Sequence, residues 1–248
     1  MDNVAETIDC PRCSGARYVL RPARPGDTHS VFSANGPAVL GPCPVCNGTD
    51  RRQEYLRSLC RLTEEELTHN FADWKPDKHQ AMVTGSDGRS TKANGAAVLR
   101  VAQRVLETGG WLTLAGPWGN GKSYLLTAIV NEAVQANRKA VYVKMADMLD
   151  HLRRGYKPGA EVDSDSLWEL ITRCDVLCID EAEKWNTTPW AEEKAMQMAE
   201  DRYRRAGECV TCWAVNDAAD LPPYLKSRMT QFPFIVMAGK DIRPELKR

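Results

Sequence analysis

Two rhythms of apolar and polar positions run through the chain beyond residue 95. Solid apolar runs at 111–115, 140–144, 175–179, 209–215 and 232–237 have the length and content of buried strands. Between them apolar residues recur at helical spacing. Ala97, Val98, Val101, Ala102 and Val105 precede the first run, and Leu125, Leu126, Ile129, Val130, Ala133 and Val134 follow it. Further helices are expected from Met145 to about Tyr156 and from Ser166 to Arg173. A long one starts at Thr187-Thr188-Pro189-Trp190, with Pro189 near its first position, Glu192 and Glu193 in its first turn and Gly207 at its end. Strands alternating with helices predict an α/β domain built on a parallel sheet.

The first 95 residues read differently. A short helix is expected over 51–62, with Tyr55, Leu56 and Leu59 on one face. Thr63-Glu64-Glu65-Glu66 has the form of a helix start, Thr63 as N-cap and Glu66 at the capping-box position. After Asn70-Phe71-Ala72-Asp73-Trp74 the pattern up to Asn94 is weakly apolar, and around Thr84-Gly85-Ser86-Asp87-Gly88 it reads as a flexible surface segment. These shifts divide the chain into a small module at 1–60, a linking segment at 61–95 and an α/β domain at 96–248.

Composition narrows the classes. A chain of 248 residues buries a sizeable core. With 33 basic and 33 acidic residues the net charge is zero, so any nucleic-acid contact must rest on a local patch. No apolar run is as long as a membrane span, and Met1-Asp2-Asn3-Val4-Ala5-Glu6 lacks the pattern of a signal peptide, so a cytoplasmic protein with no membrane partner is expected.

Nine cysteines is an odd count, and four of them form Cys10-Pro11-Arg12-Cys13-Ser14-Gly15 and Cys43-Pro44-Val45-Cys46-Asn47-Gly48. Each is a knuckle whose glycine lets backbone amides fold toward the sulfurs. Together they supply the four thiolates of a closed tetrahedral Zn²⁺ site, whereas paired redox or incidental cysteines are the plainer reading. The 29 residues between Cys13 and Cys43 are rich in Pro and Gly and read as a hairpin or loop. A further Cys209-x-x-Cys212 lies in a strand, where residues three apart face opposite sides, so core packing is expected of it.

The most specific chemistry is Gly116-Pro117-Trp118-Gly119-Asn120-Gly121-Lys122-Ser123, which fits G-x-x-x-x-G-K-[S/T] between a strand and a helix. In such a loop successive N–H groups and the helix N-terminus point at phosphates. Lys122 would reach the β- and γ-phosphates, and the Ser123 hydroxyl would take one place on Mg²⁺. About sixty residues downstream an apolar strand ends in Asp180-Glu181. That is the Walker B arrangement, in which Asp180 orders Mg²⁺ through water and Glu181 activates the attacking water. Asn216 closes the next strand, and Lys226-Ser227-Arg228 follows a Pro-Pro turn.

On these residues the chain resembles the DnaC-like AAA+ ATPases, which include helicase loaders and IstB-type transposition ATPases. The match runs through Gly116 to Ser123, Ala146 to Arg153, Cys178-Ile179-Asp180-Glu181, Pro189 to Tyr203, Val215-Asn216 and Lys226-Ser227-Arg228-Met229, over about residues 60 to 243. Trp118 departs from it, since the family usually has a small residue or proline there. The resemblance implies a five-stranded parallel sheet in the order 5-1-4-3-2, hydrolysis of ATP with Mg²⁺ and a homo-oligomer formed on ATP. It implies Asn216 as a sensor and Arg228 as a finger acting on the neighbouring subunit's ATP. Arg243 falls near a second sensor position, and that role stays open. Family placement also implies single-stranded DNA contacts at Arg153, Arg154, Tyr156 and Lys157, which otherwise read as a solvated helix face. By analogy with loaders that carry zinc, the N-terminal module would hold a replicative helicase, or a transposase in the second reading. A chaperone-like remodelling ATPase is a third reading, from the likeness of the knuckles to those of the DnaJ zinc domain.

Overall fold

The structure is a computed structural model that describes residues 18–22, 31–33, 36–42, 60–84, 88–136, 138–155, 164–184, 188–238 and 241–242, with side chains from residue 60 except at 154, 155 and 164–167. The chain divides into two units, Met1–Ser58 and Leu59–Arg248. In the first, β1 (Tyr18–Pro22), β2 (Val31–Ser33) and β3 (Gly36–Pro42) form an antiparallel sheet with β3 in the middle. The interval expected to be a hairpin or loop thus carries three strands. Cys10, Cys13, Cys43 and Cys46 lie outside the described residues, as do residues 51–59 of the helix expected over 51–62.

The second unit is built on seven strands: β4 (Gln80–Thr84), β5 (Ser90–Asn94), β6 (Gly110–Ala115), β7 (Ala140–Lys144), β8 (Val176–Asp180), β9 (Val210–Val215) and β10 (Phe234–Ala238). Their order is β5-β4-β10-β6-β9-β8-β7. From β10 to β7 every pairing is parallel, and this part has the expected 5-1-4-3-2 order. The expected count of five strands is corrected, because β4 and β5 add antiparallel to β10 and make the sheet mixed. They occupy the stretch expected to be a flexible surface segment. β4 has one buried residue, Ala81, and β5 (Ser-Thr-Lys-Ala-Asn) has none. No apolar period announces them. Their strand form comes from ladder pairing with a neighbour distant in sequence.

The helices are α1 (Gly95–Thr108), α2 (Lys122–Gln135), α3 (Met145–Gly155), α4 (Ser164–Arg173), α5 (Pro189–Arg204) and α6 (Pro223–Met229). The Asn94 side chain caps α1 by accepting from Ala97 N–H, and the Thr188 hydroxyl caps α5 by accepting from Ala191 N–H. Thr63 and Glu66 make the reciprocal capping-box bonds, yet the chain continues only as a 3₁₀ turn at Glu66–Thr68. α2 packs across β7, β8 and β9. Strands β6, β8 and β9 are buried along their whole length. Cys209 and Cys212 are both buried in the core, as expected. Among the described residues, no helix is long and apolar enough to cross a membrane.

One buried cation holds the core of this unit. Arg202 on α5 is 0% exposed, and its fork is filled by oxygens. Nη1 donates to the carbonyls of Ile171, Thr172 and Cys174 at 3.2, 3.3 and 3.0 Å, Nη2 to Val210 O at 2.6 Å, and Nε to Thr211 Oγ1 at 2.7 Å. The end of α4, where carbonyls lack helical partners and the dipole is negative, is therefore tied to β9.

Candidate functional site

Strand β6 ends at Ala115 and α2 begins at Lys122, so the glycine-rich loop lies at the C-terminal edge of the sheet, where open α/β sheets bind ligands. Gly121, the N-cap of α2, has φ +82°, and a Cβ there would lie 2.6 Å from His79 Cε1. Gly116 has φ +134°, and its Cβ would lie 2.2 Å from Met237 O. Both positions admit only glycine, through left-handed backbone and close approach. The Lys122 ammonium is turned back into the loop, donating to Gly116 O at 2.6 Å and Pro117 O at 2.8 Å. It is only 6% exposed, so these carbonyls hold a cation that phosphate oxygens would otherwise satisfy.

The Asp-Glu pair closes β8. Asp180 is buried; its Oδ2 accepts from the Tyr142 hydroxyl at 2.6 Å and its Oδ1 from Glu181 N–H at 2.8 Å. Burial, reinforced by this carboxylate, holds the Tyr142 phenol well above its ordinary pKa, so it donates throughout the neutral range. Glu181 has φ +50°, a left-handed conformation that costs a non-glycine residue about 1–3 kcal/mol. Its Oε2 lies 3.2 Å from Lys184 Nζ, one turn away. Asn216 follows β9; its Nδ2 donates to Glu183 Oε1 at 2.5 Å and its backbone N–H to Glu183 Oε2 at 3.2 Å. Glu183 thereby fixes Asn216 in place.

Gly119, Asn120, Gly121, Lys122, Ser123, Asp180, Glu181 and Asn216 all line one cavity of about 560 Å³, with Trp118 at its wall. The structure thus brings together the loop, the acidic pair and the asparagine that the sequence singled out. It also adds residues that sequence reasoning missed. Trp74 stacks on His79 at 3.8 Å between centroids, His69 packs on Tyr124 at 4.1 Å, and all four line the same cavity. Trp74 Nε1 donates to Gly95 O at 2.9 Å, which fixes the indole. Burial lowers the pKa of both histidines, so their rings are neutral near pH 7. The available signal was a cluster of aromatic and imidazole rings, His69 to His79, within a polar stretch.

Arg228 is not in this cavity. It lies on α6, where Nη2 pairs with Glu200 Oε2, Nη1 donates to Tyr224 O at 3.2 Å, and the guanidinium lies 5.4 Å from the centre of the Tyr203 ring. Arg153 lies over the Trp190 ring at 5.2 Å, with Asp150 at 3.9 Å. The side chain of Arg154, and Tyr156, Lys157 and Arg243 entirely, lie outside the described residues. Among the described residues no cluster of three or more His, Cys, Asp and Glu has the form of a metal site. Mg²⁺ needs none, because it takes one or two protein oxygens beside phosphates and waters; the buried Asp180 carboxylate and the Ser123 hydroxyl are donors of the hard type it selects.

The sheet order, the phosphate-binding loop and the acidic pair at the end of β8 define a P-loop nucleotide-binding protein of the AAA+ class. Residues 79–214, more than half of the chain, match the family of IstB-like ATP binding proteins, and the chain belongs to that family. It is 24% identical over 116 residues to the chromosomal replication initiator protein DnaA of Campylobacter jejuni, which covers 47% of this chain and 24% of that protein. The chain thus spans about a quarter of the length of the curated relatives it matches. Its fold is similar to that of replication initiator DnaA bound to AMPPCP and single-stranded DNA, with a TM-score of 0.52, 16% identity and coverage of 66% of this chain and 54% of that one. It is also similar to DnaI, with a TM-score of 0.52, 17% identity and coverage of 71% and 95%.

Proposed function

We propose that this protein is an ATP-hydrolysing switch of the helicase-loader type, which assembles on single-stranded DNA and acts on a replicative helicase. The observation that carries the reading is the single cavity that joins the phosphate loop, Asp180-Glu181 and Asn216 to a ring-lined recess. The base would lie against Trp74, His79 and Tyr124, and the triphosphate along the loop toward Asp180. On phosphate binding Lys122 leaves the carbonyls of Gly116 and Pro117 for the β- and γ-oxygens. Ser123 and Asp180 would hold Mg²⁺, which neutralises charge on the phosphates when bound. Glu181, which lines the cavity, takes the proton of the attacking water, and Asn216 orients that water or the γ-phosphate. The fold is similar to that of DnaA bound to single-stranded DNA, and by that analogy DNA is a partner; the helicase follows from the resemblance of the motifs to those of helicase loaders. The family match favours a second reading, an IstB-type ATPase that marks target DNA for a transposase.

Glu181→Gln tests the switch. It keeps the shape of the side chain and removes the base, so ATP should still bind while turnover falls by about 10²-fold or more. The trapped ATP state should hold single-stranded oligonucleotide, with affinity falling steeply as salt rises because phosphate contacts release counterions. Replacing Arg153, Arg154 and Lys157 together by Ala should flatten that salt dependence. Unchanged oligonucleotide affinity at every salt concentration would remove these residues from the DNA contact. A native-extract pull-down with ATP, which recovers a helicase or a transposase, separates the two readings.

The N-terminal knuckles carry a separate proposal, one Zn²⁺ held by Cys10, Cys13, Cys43 and Cys46. Binding would supply most of the folding free energy of so small a module, about 10 kcal/mol or more in comparable peptides. Elemental analysis should find about one zinc per chain. Zinc retained after Cys43 and Cys46 are both replaced by Ser would overturn the assignment.

A further inference from the structure

His69 brings an unmet polar atom to the wall of the ring-lined recess. Its ring packs on Tyr124, and its Nδ1 lies 2.7 Å from the Thr127 hydroxyl. The other ring nitrogen, Nε2, forms no hydrogen bond among the described residues and is not sealed from water. Which nitrogen carries the proton follows from Thr127. That residue is 0% exposed, and its hydroxyl, with one proton to give, lies 2.9 Å from Tyr124 O and 3.1 Å from Ser123 O in α2. If the hydroxyl donates to one of these carbonyls, its oxygen can accept from Nδ1–H and so makes two bonds. If it donates to Nδ1 instead, the oxygen accepts nothing and makes one, away from water. The first arrangement keeps the proton on Nδ1 and leaves Nε2 a bare lone pair. Burial holds the pKa of the ring below its ordinary value, so no second proton fills Nε2 near pH 7.

We infer that His69 selects the base: Nε2 accepts a hydrogen bond from the amino group at position six of adenine. Thr127 is the positioning residue that keeps the proton on Nδ1. Both roles deepen the reading of the cavity as an ATP site and rest on it. Phosphate is served by Lys122 and the N-terminal amides of α2. Beside His69 the cavity wall carries two carboxylates, Glu65 and Asp73, against one cation, Lys75. Carboxylates repel phosphate and accept from amino groups, so this wall suits a base that offers a donor. The faces of Trp74 and His79 hold a flat base by stacking, and every base has a face to stack. Discrimination therefore falls to an edge. Adenine has a donor at position six, where guanine and hypoxanthine carry a carbonyl oxygen. An oxygen there sets lone pair against lone pair at Nε2 and leaves both unpaired. While Thr127 Oγ1 holds the proton on Nδ1, the ring cannot turn its acceptor into a donor, and the preference is built into the fold.

The test measures the affinity of the full chain for three nucleotides: ATP, purine riboside triphosphate with only hydrogen at position six, and inosine triphosphate with an oxygen there. The parent should bind ATP about 10–100-fold more tightly than inosine triphosphate, a margin limited by the partial exposure of the site, with the purine analogue between them. His69→Phe keeps a ring against Tyr124 and removes the acceptor. It should bind ATP no better than the purine analogue, and the preference over inosine triphosphate should largely vanish. Thr127→Val lets the ring carry its proton on either nitrogen, so the preference should fall severalfold while the purine analogue binds as before. A packing role alone would weaken all three nucleotides alike. A parent without the preference overturns the inference, and so does His69→Phe with the preference intact. If His69→Phe does not fold, an intact preference in Thr127→Val overturns it instead. Lys122→Ala separates this from the site itself and should lose all three nucleotides. If it binds them as the parent does, the ATP site and the role of His69 fall together; if it loses them while the base makes no difference, only the role of His69 falls.

Discussion

Arg228→Ala should bind ATP as the parent does and hydrolyse it about 10³-fold or more slowly, since an arginine finger is worth roughly 10³–10⁵ in related P-loop chemistry. The loop, Asp180-Glu181 and Asn216 line one cavity, and Arg228 is not among its lining residues. Charge that develops on the γ-phosphate therefore gains no cation from Arg228 of the same chain. A neighbour's guanidinium would bring a fixed positive fork to the place where charge grows. To do so it must leave Glu200 and Tyr224 O, its partners in the single chain. Glu200 is only partly buried, so water can solvate its carboxylate as the guanidinium leaves. Arg228→Ala mixed with Lys122→Ala should recover part of the parent's turnover, through interfaces that join an intact pocket to an intact finger. Turnover measured against mixing ratio checks this. No recovery in mixtures shown to co-assemble would place Arg228 outside the chemistry.

Arg202→Met should destabilise the ATPase unit by about 3 kcal/mol or more, because several buried acceptors lose their donor at about 1–3 kcal/mol each. Methionine fills much of the volume but donates nothing. The carbonyls of Ile171, Thr172, Cys174 and Val210 and the Thr211 hydroxyl would all lose a donor, away from water. For a unit of this size, the thermal midpoint should fall by on the order of 10 °C. Arg202→Lys keeps the charge but not the planar five-donor fork, so it should recover only part of the loss. Thermal unfolding followed by circular dichroism gives the comparison. A Met variant within about 1 kcal/mol of the parent would mean that these contacts do not hold α4 to β9.

The chemistry of the nucleotide site is legible in the chain because it is local. Gly116 to Ser123 carries its own turn, and Asp180-Glu181 ends an apolar run whose burial needs no partner to be recognised. The parallel core of the sheet is legible for the same reason, since solid apolar strands and helical periods each declare themselves in short windows. β4 and β5 do not. Ser90 to Asn94 has no apolar face, and it is a strand because β4 and β10 supply the ladder. The Thr63–Glu66 box forms its hydrogen bonds, yet the chain after it makes only one tight turn; a local cap signals a start and does not set a length.

The ring-lined end of the site joins Trp74 and His79 to Tyr124, residues about fifty positions apart that meet only when the segment before the sheet folds over the loop. Tyr142 on Asp180 and Glu183 on Asn216 are likewise contacts between strand ends brought together by β8 pairing with β7 and β9. The sequence by itself singled out the residues proposed to handle phosphate, because that task falls to contiguous backbone and adjacent side chains. Tertiary structure decided what surrounds them, because recess and clamp are made by residues whose spacing along the chain carries no period at all.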